Sequence, residues 1–161
     1  MTPKGVPMIF GSAGIGKSEG VVQFAKTIAQ REGREFKKLS DLKDKARKEI
    51  IRNPSRYYLF LDLRAGELNP EQSQGIPDVE FGKVEGYLRF LPPDWTSLIT
   101  NDDFSGLIFL DELNRGQETV INSLFQFVLD RVAAGRKISD NALIAGAANL
   151  GTGGEFSGNL S

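Results

Sequence analysis

Residues 11–18 read Gly11-Ser12-Ala13-Gly14-Ile15-Gly16-Lys17-Ser18, a complete G-x-x-x-x-G-K-[ST] loop, directly after the apolar run Met8-Ile9-Phe10. A buried strand, a glycine turn and a helix opening near Lys17 form the arrangement that phosphate capture requires. Glycines let successive backbone N–H groups turn inward without Cβ clashes, which makes an anion nest at the positive end of a helix. In that reading Lys17 reaches the β- and γ-phosphates and the Ser18 hydroxyl ligates Mg²⁺. The plain alternative is a glycine-rich strand–helix turn with an incidental lysine. A chance match of this length in 161 residues has odds of roughly one in a hundred.

Composition narrows the chemistry further. The chain has no cysteine and no histidine, which removes disulfides, thiolate metal sites and histidine-based nucleophilic catalysis. Catalysis must then run on carboxylates, lysine, arginine, hydroxyls, amides and a hard metal ion. That inventory suits phosphoryl transfer with Mg²⁺. A length of 161 residues is that of one ordinary domain, 1–161, with a sizeable core. No apolar run approaches membrane-spanning length. The start, Met1-Thr2-Pro3-Lys4-Gly5, lacks the basic stretch and apolar core of a secretory signal, so a cytoplasmic protein is expected. The formal net charge of −1 gives the domain no strong pull on nucleic acid. A locally basic stretch, 31–52, carries Leu42, Ala46 and Ile50 every four residues, which reads as an amphipathic helix with a solvated charged face.

Strand and helix signals alternate, which argues for a parallel sheet covered on both faces. The pattern predicts a first strand over 6–10 and a helix over 17–31 that buries Val21, Phe24, Ala25 and Ile28 and stops at Gly33. Ser40 is the expected N-cap of the next helix, with Pro54 beyond its end. The nearly continuous apolar runs 57–63 and 107–110 predict interior strands, and the small residues of 142–147 a fourth. Between the last two, a helix over 117–132 is expected to bury Val120, Leu124, Val128 and Val132. The stretch 64–104 is least regular. Asn69-Pro70-Glu71 resembles a helix start, the runs 79–81 and 87–90 suggest a hairpin in an insert over about 75–95, and Pro92-Pro93-Asp94-Trp95 reads as a rigid connector.

Leu107-Ile108-Phe109-Leu110-Asp111-Glu112 is four apolar residues followed by two acids. Ligands of open parallel sheets gather at the carboxyl ends of strands, so Asp111 and Glu112 should arrive on the edge that carries the 11–18 loop. Asp111 suits a hold on Mg²⁺ through one of the ion's waters, and Glu112 suits orientation and deprotonation of an attacking water. Asn149 ends the next strand, where an amide could hydrogen-bond a γ-phosphate and a nucleophilic water. A turn asparagine leading into Gly151-Thr152-Gly153-Gly154 explains it equally well.

The run Leu110-Asp111-Glu112-Leu113-Asn114-Arg115 closely resembles the D-E-[IL]-N-R box of MoxR-type AAA+ ATPases. Gly75-Ile76-Pro77 and Pro92-Pro93-Asp94-Trp95 look like the insert of the same family, and the resemblance spans roughly 6–154. It implies a P-loop NTPase three-layer sandwich with a central parallel sheet, the AAA+ core without its C-terminal helical lid. It implies Gly11, Ser12, Ala13, Gly14, Ile15, Gly16, Lys17 and Ser18 around the phosphates of ATP, with Ser18 and Asp111 on Mg²⁺. It further implies Glu112 as catalytic base, Asn149 as γ-phosphate sensor, and Arg115 near the interface of a ring, by family habit a hexamer, that remodels a protein substrate. The family continues with an arginine-finger helix, a fifth strand and a lid. No residues remain after Ser161 to supply these, and no motif assigns Arg131 or Arg136 that role, so weak nucleotide binding and little turnover are expected of this chain alone.

Other readings share these motifs. They are a static nucleotide-binding assembly module, a P-loop kinase, and a DNA-dependent motor or helicase loader. The acid pair suits water better than a kinase acceptor, and the near-neutral charge weighs against nucleic acid. No N-K-x-D base-reading motif is evident, which favours ATP over GTP. The expected hairpin, through Phe81 and Tyr87, is a candidate for gripping a protein partner.

Overall fold

The computed structural model describes residues 5–11, 16–87, 89–91 and 94–149. The chain begins with β1 (Met8–Gly11), α1 (Lys17–Glu32), β2 (Glu35–Lys38), α2 (Asp44–Arg52) and β3 (Tyr57–Arg64). An irregular stretch follows, with α3 (Pro70–Gln74), β4 (Ile76–Pro77), α4 (Val79–Glu85), β5 (Phe90–Leu91) and α5 (Asp94–Ile99). It closes with β6 (Ser105–Asp111), α6 (Glu118–Asp130), β7 (Val132–Ala133), β8 (Arg136–Lys137) and β9 (Ala142–Asn149). Five strands form one all-parallel sheet in the order β1-β9-β6-β3-β2. The architecture is therefore α/β, a parallel sheet between two layers of helices.

The strand order and the helix placement have one cause. From β1 to β2 the chain crosses the sheet in one direction through α1, and from β2 back to β9 it travels in the other. Right-handed crossovers demand that opposite directions of travel use opposite faces. Thus α1 covers one face alone, with Val21, Ala25 and Ala29 packed on Tyr58, Phe60, Leu107, Phe109, Ala145 and Ala147. The other face carries Ile50 of α2, Leu98 and Ile99 of α5, and Val120, Leu124 and Phe127 of α6, packed on Leu59, Leu61, Leu63, Ile108 and Leu110. The central strands β3 and β6 bury side chains on both faces, which is why they read as nearly continuous apolar runs, broken in β3 at Asp62, rather than alternating ones.

Several expectations need correction. Phe24 is exposed, because β1 has a sheet neighbour on one side only and the flank of α1 above it is left open. Ser40 caps no helix. Its hydroxyl bonds Asp41, buried Leu39 draws the chain into a 3-10 turn, and α2 starts four residues later after Lys43. Strand β2 was not expected, since three of its four residues are charged and Phe36 alone signals burial. Helix α6 ends at Asp130, where Arg131 turns left-handed (φ 51°), so Val132 is an exposed residue of a small ribbon, β7 with β8, and Phe127 takes the buried place. Asp94-Trp95 opens helix α5 rather than serving as a connector, while Pro92 and Pro93 lie outside the described residues.

The expected hairpin is the largest departure. Residues 79–85 are helical, and the paired strands, β4 and β5, flank that helix from outside. Asp78 decides this. Its carboxylate accepts the Phe81 N–H (3.1 Å) as an N-cap, and Gly86 ends the helix in the left-handed conformation (φ 78°). The second oxygen takes two hydrogen bonds from Arg89, Nε at 3.0 Å and an Nη at 2.9 Å. The Arg89 guanidinium lies 3.9 Å from the Phe81 ring centroid, and Tyr87 meets that ring edge-on at 5.2 Å. Phe81 is thus half-buried glue inside the insert, not a free gripping side chain.

The Phe81 N–H and the Arg89 guanidinium hold the Asp78 carboxyl below the usual carboxylate range. Such a group stabilises the folded insert above its unfolded pKa, near 4, and loses that contribution as pH falls through its lower folded pKa. The protection of amides over 79–86, taken relative to their intrinsic exchange rate at each pH, should therefore fall as pH is lowered below about 4, while the amides of β3 and β6 stay protected. Asp78→Ala should bring the same loss of protection at neutral pH.

Candidate functional site

The parallel pairing of β1 with β9 sets Gly11 beside Asn149 at the carboxyl ends of adjacent strands. This is the point where the connecting helices diverge to opposite faces, and such switch points form the ligand crevice of open α/β sheets. Gly16, left-handed (φ 71°) with open space where a Cβ would stand, delivers the chain into α1. Lys17, at the first turn of that helix, sends its ammonium back over the strand ends. It donates to the Asn149 side-chain oxygen at 2.9 Å and to the Gly11 carbonyl at 3.1 Å. Ser18 donates its hydroxyl to Asp111 Oδ2 at 3.2 Å. Two bonds, spanning 132 and 93 residues of sequence, thus join the start of α1 to the ends of β9 and β6.

Asp111 is buried, and its other oxygen accepts the backbone N–H of Glu112 at 2.8 Å. Its main-chain carbonyl receives Ala65 N–H (2.9 Å), which extends the β3 pairing to the end of β6. Both carboxylate oxygens are thereby fixed. Glu112 then turns left-handed at φ 54°, a conformation that strains a non-glycine residue by about 1–3 kcal/mol. The turn carries its side chain toward Arg115, whose guanidinium lies 3.7 Å from Oε1. Gly66 closes against this pair. A Cβ there would stand 3.3 Å from Glu112 Oε2 and 3.2 Å from Arg115 Cβ.

Asn114 plays a part that the sequence did not reveal. From the 3-10 turn after β6, its amide donates to the Asn149 carbonyl (2.9 Å) and accepts the Asn149 N–H (3.2 Å). A side-chain amide so presents both groups of a peptide and ends β9 as a further strand would. The signal in retrospect is an uncharged amide two residues after an acid pair, where a solvated turn has no need of one. Arg131 donates to the carbonyls of Ser139 and Ala142 at 3.0 and 2.8 Å, so it is tied to the backbone that leads into β9. Ser12, Ala13, Gly14 and Ile15, together with the Gly151-to-Gly154 turn, lie outside the described residues.

The group of side chains fits a metal-bound polyphosphate. A lysine ammonium, a hydroxyl and a fixed carboxylate share one edge beside a helix N-terminus. Among the described residues no three acids converge into a closed metal cage. No known-family profile matches the chain, and no curated protein does. Among the described residues no helix is long and apolar enough to cross a membrane.

Replacing Asn114 with alanine removes both bonds to Asn149. It should lower stability by about 1 kcal/mol in urea unfolding, and Asn114→Asp, which keeps the acceptor but sets a carboxylate oxygen against the Asn149 carbonyl, should lose at least as much. Faster amide exchange at Asn149 in the alanine variant would check that the loss is local.

Proposed function

We propose that the chain is an ATP-binding and hydrolysing core of the AAA+ type, similar to the MoxR-like ATPases that remodel other proteins. The observation that carries this reading is the meeting of Lys17 with Asn149 and of Ser18 with Asp111 at the β1/β9 crevice. A glycine-loop motif that merely joined a strand to a helix would have no reason to reach two strand ends so distant in sequence. In this reading Lys17 binds the β- and γ-phosphates, and the ammonium now held by Asn149 and the Gly11 carbonyl turns to phosphate oxygens. Ser18 and Asp111 hold Mg²⁺, whose charge offsets that developing on the transferred group. Asn149, released from Lys17, faces the γ-phosphate and its attacking water. Glu112 takes the proton of that water. The exposed Arg115, three residues on, is available to an adjoining subunit of a ring, and the apolar residues of the insert to a protein substrate.

One observation favours a second reading. Among the described residues the Glu112 carboxylate pairs with Arg115 and not with a residue of the crevice, which suits a module that binds nucleotide to hold an assembly without turning it over.

Two substitutions separate these. Lys17→Ala should weaken ATP affinity about 10- to 100-fold, since a charge-assisted contact is lost, and an unchanged affinity would contradict nucleotide binding at this loop. Glu112→Gln should lower phosphate release about 100-fold or more while keeping affinity. At saturating nucleotide and long incubation the variant should then leave ATP intact where the parent chain slowly yields ADP. A static module would retain ATP equally in both.

A further inference from the structure

The same sheet edge carries one more acid, and the roles above leave it unused. Asp62 lies on β3, next to β6, with Phe109 as its register partner, while Arg64 stands opposite Asp111. Strand alternation puts Asp62 and Asp111 on one face, the face of Tyr58, Phe60 and Phe109 that α1 covers and toward which Ser18 reaches. The Asp62 side chain is only 8 % exposed. One of its oxygens takes a hydrogen bond from Arg64 Nε at 3.4 Å, and Arg64 is itself held by Glu67 at 3.3 Å. The other, Oδ1, is buried and has no hydrogen-bond partner among the described residues.

That arrangement costs stability. Burial pushes the Asp62 carboxyl up, the Asp111 charge adds to the effect, and Arg64 and Lys38 oppose it. A buried carboxylate oxygen without a donor forfeits its hydration for nothing, and an apolar side chain would sit there at no such penalty. Its neighbours Leu61 and Leu63 are both buried and apolar. A cation with its hydration shell beside Asp111 would supply both the missing donor and the missing charge.

The geometry points to Asp62 as the second acid of the divalent-cation site formed by Ser18 and Asp111, its free oxygen accepting a hydrogen bond from a water of the cation's shell. This inference rests on the Mg²⁺-nucleotide reading above. Contact through water suits an ion that surrenders its waters reluctantly, as Mg²⁺ does. Asp62 is thus a positioning residue.

The test is Mn²⁺ uptake by the 161-residue chain in the presence of a non-hydrolysable ATP analogue, read from the electron paramagnetic resonance signal of free Mn²⁺. Asp62→Asn should weaken Mn²⁺ binding about tenfold or more, as loss of an outer-shell partner does, with analogue affinity in EDTA unchanged. Arg64→Gln breaks the ion pair but keeps the acid, and should bind Mn²⁺ at least as well as the parent chain. Equal Mn²⁺ affinity in Asp62→Asn and the parent overturns the inference. So does an Arg64→Gln variant that loses as much affinity, since the ion pair and not the free oxygen would then be responsible. Should Asp62→Asn fail to fold, Asp62→Ser carries the same expectation. A parent chain that takes up no Mn²⁺ with the analogue overturns the nucleotide reading itself, an outcome distinct from unchanged affinity in the variant alone.

Discussion

The parallel contact between β1 and β9 is the constraint from which the rest follows. It joins the first strand of the sheet to the last and sets Gly11 beside Asn149. Loop closure across so much chain is expensive in entropy, and it is repaid only when both faces of the sheet are covered. The repayment comes from opposite sides. Helix α1 seals one face with small residues, Ala25 and Ala29, that let it lie close to the aromatic rows of β3 and β6. Helices α2, α5 and α6 seal the other with larger apolar side chains. The small residues of β9, Ala145 and Ala147, suit the same close approach. With that frame in place, the first turn of α1 has little freedom but to overhang the strand ends, and Lys17 and Ser18 come to the acids and the amide there.

Polar groups at this edge are held at a cost that folding alone does not explain. Glu112 adopts a left-handed backbone, Asp62 keeps a buried oxygen without a donor among the described residues, and the buried Asp111 has both oxygens committed to fixed donors. Such features are not confined to this edge, since the buried Tyr58 hydroxyl on β3 also has no partner among the described residues, and Arg131 and Ala134 are left-handed too. Strain and unmet polarity beside a helix N-terminus are nevertheless the pattern expected where stability is given up for chemistry.

Legibility in the sequence tracks burial. Strand β3 matches the expected run but for its last residue, and β6 extends the expected 107–110 to Ser105 and Asp111, because burial on both faces leaves a run that is apolar except at Asp62 and at the ends of β6. Helix α1 was read within a residue of each boundary, since Gly33 adopts the left-handed cap (φ 65°) that its position suggested. The convergence of Lys17, Ser18, Asp111 and Asn149 followed from the rule that strand ends share an edge. Edge elements were harder. Strand β2 has a neighbour on one side only, so its charged residues meet solvent and its pattern resembles a loop. The partners of side chains were harder still. Nothing in the sequence pairs Asn114 with the backbone of Asn149, because that bond depends on where a 3-10 turn leaves the chain after β6.

The insert over 76–91 shows why local patterning can mislead. Its apolar residues, Val79, Phe81, Tyr87 and Phe90, alternate well enough to suggest strands. One carboxylate overrides that pattern by satisfying a helix N-terminus and an arginine at once. The result is a unit held by local bonds, with no buried residue in α4 and with Ile76, Val79, Val84, Tyr87 and Phe90 all more than half exposed. In a core whose other apolar side chains are spent on sealing a sheet, such a unit adds nothing to the sheet's stability. Its stability is set by Asp78 and Arg89, and that of the crevice by strand pairing and helix cover. The two can therefore change independently, because no bond that sets the stability of one is shared with the other.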